Sequence, residues 1–169
     1  MESEGERVIK RKDEIVGVEA EPRSLRERLR RWLLIAAVGA TIFGILHHVD
    51  HVIRGNHSGW PFQEAVTPFT FSLLIYALIL PDLYLLARGR LIAGYSLFVA
   101  LVGLVLVFSV HFVGEEREAP IRDIYAVYGS PVAGLLALVI LAGLMLSLAA
   151  LAVTAIGALR ARVREELQR

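Results

Sequence analysis

Long apolar runs, parted by short charged segments, constrain this chain more than anything else in it. At ~1.5 Å rise per residue, a run of about 18 residues is long enough to cross a hydrocarbon layer of roughly 30 Å. Four stretches qualify, at about 32–53, 68–87, 91–113 and 131–159. A soluble domain of 169 residues does not need 56% hydrophobic residues so segregated from its charges. The expected fold is therefore all-α, an integral membrane four-helix bundle with a polar tail at 1–23 and a basic tail at 160–169.

The boundaries carry their own signals. Ser24-Leu-Arg-Glu27 has the form of a capping box, with Ser24 as cap and Glu27 reaching back. Arg26, Arg28, Arg30 and Arg31 then lead to Trp32 at interfacial depth, and the basic segment 23–31 is expected to meet anionic lipid. Thr67-Pro68 and Ser130-Pro131 each read as an N-cap followed by proline at the first helical position. Pro81 predicts a kink in the second helix. Arg88-Gly89-Arg90 allows only a tight turn, so the second and third helices form an antiparallel hairpin. Between the third and fourth, Ile121, Ile124, Tyr125 and Tyr128 recur at helical spacing, which predicts a short interfacial helix.

Lys and Arg are distributed unevenly over the connections. The N-terminal segment, the hairpin turn and the C-terminal tail hold 15 of the 18, leaving Arg54, Arg117 and Arg122 for the other two connections. The positive-inside rule then places both termini in the cytoplasm of a multi-pass cell-membrane protein. The opposite side is acidic, with Asp50, Glu64, Glu115, Glu116, Glu118 and Asp123. The mostly polar residues that precede the first apolar run do not read as a cleaved signal peptide.

Cysteine is absent, so thiolate metal sites, iron–sulfur clusters and cysteine nucleophiles are excluded, and any metal must be held by nitrogen and oxygen. The five histidines lie at or near one end of the helices. On the first helix His47, Asp50, His51 and Arg54 share a stripe, because positions three, four and seven apart coincide on a helix face. His48 points elsewhere. The stripe continues inward through Ala40 and Ala36, with Gly44 beside it, and small residues of this kind let another helix approach closely in lipid. His47 lies about 22 Å along the helix from Trp32 and His51 about 28 Å, while His111 is roughly 30 Å from Leu91 on the third helix, which runs the same way. The three histidines thus reach matching depth.

His47, His51, His111 and Asp50 are the candidate metal ligands, with Glu115 or His57 in reserve. Such a set suits Zn²⁺, Fe²⁺, Mn²⁺ or Cu²⁺, and Asp50 or Glu115 is the candidate base in a catalytic version. Two other readings use the same residues. His47 or His51 opposite His111 would serve as axial ligands of a b-type haem in an electron-transfer protein. Alternatively the histidines only hydrogen-bond, to Asp50, Thr67, Thr70 or a tyrosine, in an accessory subunit that joins a homo-oligomer or a larger membrane complex. Ser58-Gly-Trp-Pro61 reads as a rigid interfacial turn, and Asp82 as a snorkelled or salt-bridged residue beside Arg88. The chain contains no phosphate-binding loop and no nucleic-acid motif.

Overall fold

The structure is a computed structural model, and it describes residues 4–54, 68–113 and 127–168. These form α1 (Glu4–Arg54), α2 (Pro68–Ser72), α3 (Ile75–Ala87), α4 (Ala93–Phe112) and α5 (Pro131–Leu167), with no strand among the described residues. Four segments are long and apolar enough to cross a membrane: Leu25–Arg54, Phe69–Ala87, Ala93–Phe112 and Pro131–Leu167. The predicted short helix between the third and fourth spans falls mostly outside the described residues, as does Thr67.

Neighbouring spans close a ring. α1 packs on α3 and α5, and α4 packs on the same two, so α1 and α4 face each other across the diagonal. Two apolar layers fill the ring. One joins Leu33, Ala36, Ala37, Leu86, Ala100, Leu151 and Ala155, and the next joins Ala40, Ile79, Val99, Val107, Leu144 and Leu148. The buried residues of α1 are mostly small, while Trp32, Ile35, Ile42 and Ile53 face outward. That inversion fits a lipid solvent, in which association gains from close backbone packing instead of from hiding large apolar side chains.

Two glycines show how close the approach is. A Cβ on Gly143 of α5 would come within 2.6 Å of the Phe43 ring of α1, and one on Gly103 of α4 within 2.9 Å of Leu148. The hairpin turn forms as its residues predict. Gly89 adopts φ +82°, the Arg90 N–H donates to the Leu85 carbonyl, and the Gly89 N–H donates to that of Leu86. This is the paired-bond ending in which glycine meets no Cβ penalty. Ser130 sits at the start of α5 with Pro131 in the first turn, but its side chain makes no capping bond.

Other boundaries differ from the expectation. The helix runs unbroken through Ser24, so the Ser24–Glu27 box does not open it. Glu27 instead accepts from Arg30 and Arg31 on its own helix. α5 likewise continues past 159 to Leu167, where Arg162 pairs with Glu166 one turn on. Charged residues suit a helix that has left the apolar layer, because i,i+4 pairs support it in water. The second span is interrupted at Leu73 and Leu74, about two turns before Pro81. There the N–H groups of Leu74, Tyr76 and Ala77 each donate three residues back, tightening the chain between α2 and α3, while Pro81 lies within the continuous α3.

Candidate metal centre

The histidine end of the bundle begins with α1. His47, Asp50 and His51 are buried on the face that Ala36 and Ala40 prepare further down the helix, and the Arg54 side chain is only 3% exposed. His111, at the last turn of α4, reaches across the diagonal to meet them. His47 Nε2 lies 3.1 Å from His51 Nε2 and 3.1 Å from His111 Nε2. The ring centres are 4.5 Å apart for His47 and His51, 5.0 Å for His47 and His111, and 5.5 Å for His51 and His111. All three residues are buried and can offer ligand atoms within 4.8 Å of one another.

Three convergent nitrogens are what a small cation requires. A tetrahedral ion with metal–nitrogen distances of about 2.0–2.1 Å sets its ligand nitrogens roughly 3.3–3.4 Å apart. The two separations from His47 Nε2 are a few tenths shorter, and the ligand atoms of His51 and His111 lie within 4.8 Å of one another. Direct hydrogen bonding serves the same rings less well. His47 Nε2 has one lone pair or one proton, yet two ring nitrogens are aimed at it. His47 Nδ1 is buried with no hydrogen-bond partner among the described residues.

Asp50 is placed beside this group and turned away from it. Its Oδ2 accepts from Arg54 Nε at 2.9 Å and Nη2 at 2.7 Å, and its Oδ1 accepts from the Tyr128 hydroxyl, just ahead of α5. Burial and the Asp50 carboxylate together push the Tyr128 phenol up to about 12, because both disfavour a second negative charge there. Arg54 Nη2 also lies 3.1 Å from His51 Nδ1. Guanidinium has no acceptor, so Arg54 donates and His51 Nδ1 accepts. Tyr128 had a sequence signal only as part of an amphipathic repeat, and nothing in the sequence marks it as the partner of Asp50.

His48 departs from the stripe, as its position on the helix predicts. His48 Nε2 lies 2.9 Å from Ser72 Oγ, which itself donates to the Phe69 carbonyl. Its Nδ1 lies 2.8 Å from the Gly44 carbonyl, which can only accept, and 2.9 Å from the Tyr76 hydroxyl. His48 thereby ties α1 to α2 and α3. His57, Glu115 and Ser58-Gly-Trp-Pro61 lie outside the described residues.

Beneath the histidines a cavity of about 50 Å³ extends toward the bundle centre, lined by Ala40, Gly44, Ile79, Gly103, Val107 and Leu144 among others. It exceeds the roughly 10–15 Å³ that one water needs. For His47 and His111 to serve as the two axial ligands of a haem, their Nε2 atoms, 3.1 Å apart here, would have to separate to admit the iron.

At the other end of the bundle, Asp82 is neither snorkelled nor paired with Arg88. Its side chain is fully buried and its Oδ1 accepts from Ser96 Oγ at 2.7 Å, while Arg88 turns to the Tyr84 hydroxyl. Asp82 lies on the inner face of α3 with Ile79 and Leu86, three and four residues away. That helical spacing was the available signal. No family model matches the chain, and no curated protein or solved structure matches it either.

Proposed function

We propose that this is a multi-pass membrane protein that binds one divalent transition metal ion at the histidine end of its bundle, with His47, His51 and His111 as ligands. The observation that carries the reading is the meeting of three buried Nε2 atoms from diagonally opposed helices, two pairs of them at 3.1 Å. An all-imidazole set suits Zn²⁺, Fe²⁺, Mn²⁺ or Cu²⁺. Bound there, such an ion supplies Lewis-acid polarisation of a water or small ligand in a fourth position.

The protein's own residues have distinct parts in this reading. His47 and His51 are presented by one helix, one turn apart, so their relative placement needs no tertiary contact. His111 completes the set only when α4 is seated. Asp50 serves better as the partner of Arg54 than as a fourth ligand, since both of its oxygens are engaged elsewhere. Charge distribution favours both termini in the cytoplasm and the histidine end outside, where acidic residues would gather cations.

A second reading is favoured by one contact. Arg54 donating to His51 Nδ1 places the proton of a neutral His51 on Nε2, which then donates to His47. In that case the histidines are a hydrogen-bonded clasp between α1 and α4 in an accessory subunit. Elemental analysis of detergent-purified protein beside a His47→Ala/His51→Ala variant separates the two. The metal reading expects close to one equivalent in the parent and loss in the variant. A parent content below about a tenth of an equivalent after loading with each candidate metal favours the clasp.

A further inference from the structure

We propose that Asp82 is a proton-binding site in the half of the bundle nearest the α3–α4 turn, a carboxylic acid kept neutral in partnership with Ser96. It is independent of the histidine centre. Asp82 has no solvent-exposed surface, and it lies between the two apolar layers, next to Ile79 of one and Leu86 of the other. Its Oδ1 receives the Ser96 hydroxyl at 2.7 Å, while its Oδ2 is buried with no hydrogen-bond partner among the described residues.

An ionised carboxylate has about four acceptor positions to satisfy and a charge to balance. The elements packed against α3 provide neither. α1 carries no titratable side chain between Arg31 and His47, and α4 has only Tyr95 between Arg90 and His111. Tyr95 gives its hydroxyl to the Leu78 carbonyl at 2.9 Å. Arg30 of α1, which reaches α3, is held by Glu27 and by the Leu86 carbonyl, and Arg31 is bound to Glu27. On α3 itself, Tyr84 and Arg88 bind each other at the surface. A charged Asp82 would therefore sit in an apolar layer with one neutral hydrogen bond. A protonated one needs no counter-ion: with its proton on Oδ1 it can donate to Ser96 Oγ, reversing that bond, while the remaining oxygen is a weak carbonyl acceptor. The ligand that meets the needs of this pocket is a proton.

Infrared spectroscopy of the full-length protein in lipid tests this directly. The expected result is a protonated-carboxyl C=O band that persists from pH about 5 to about 9, where an ordinary aspartate near 3.9 is ionised throughout. The band should shift in D₂O, disappear in Asp82→Asn and move to higher frequency in Ser96→Ala. The absence of any Asp82-dependent band over that range overturns the proposal. So does a band that vanishes when Na⁺ or K⁺ is added at constant pH, which would make the pocket a metal-cation site. If Asp82→Asn does not fold, Ser96→Ala decides alone, and an unshifted band counts against the proposal.

Discussion

The two ends of the bundle bury carboxylates in opposite ways. Asp50 is matched by a guanidinium on its own helix and by a phenol from the segment before α5, and Arg54 in turn reaches His51. Asp82 has a single hydroxyl and an oxygen with no hydrogen-bond partner among the described residues. Buried charge is tolerated at the first end because partners converge on it, and the second end tolerates a carboxyl only where charge is not required. The contrast is one of connectivity: removing one group at the histidine end strands others, whereas the hairpin end has little to strand.

Asp50→Ala should have the largest effect. It leaves the Arg54 guanidinium buried without a counter-ion, and breaking a buried pair from one side costs about 3–5 kcal/mol. Thermal unfolding in detergent measures it, and a loss under about 1 kcal/mol would mean that Arg54 escapes to solvent. Gly143→Ala comes next, at about 1–3 kcal/mol, since the new Cβ meets the Phe43 ring at 2.6 Å and Phe43 must leave its place against α5. Tyr128→Phe should cost about 1 kcal/mol, because Asp50 keeps Arg54.

The same substitution has a pH signature. With the Tyr128 phenol raised to about 12, its contribution is complete below the ordinary tyrosine value and is lost as pH rises through about 12. An absorbance titration of the parent should show this late step, and in Tyr128→Phe its amplitude should fall by one tyrosine. Asp82→Asn should change stability least, by less than about 1 kcal/mol, because a neutral amide replaces a neutral acid of the same shape. If it instead rivalled Asp50→Ala, the contrast between the two ends would fail.

Much of this was legible in the sequence, for reasons of arithmetic. Span length follows from rise per residue, and the pairing of His47 with His51 from helical period. The arrival of His111 at their level follows from counting residues from the hairpin turn. Ala36 and Ala40 marked the inward face because lipid reverses the usual preference for large buried side chains. What depended on rotamers and returning segments was not legible: Tyr128 closing on Asp50, Arg54 reaching two partners, and the interruption at Leu73 and Leu74. For Asp82, nearness in sequence to Arg88 says less than its place on the Ile79–Leu86 face, which buries it. The helix continuing through Ser24 shows a further limit, since a capping pattern supplies a good end without requiring that the helix use it.

The meeting of His47 with His111 joins residues 64 positions apart. At synthesis rates of about 5–20 residues per second, roughly 3 to 13 seconds separate their emergence from the ribosome. In that interval the first two imidazoles enter the bilayer without their third partner, and the α3–α4 hairpin must be inserted before the set can close. The centre is thus a record of finished biogenesis. A nascent chain interrupted before the third span would have two orphan histidines to expose to the cell's quality control.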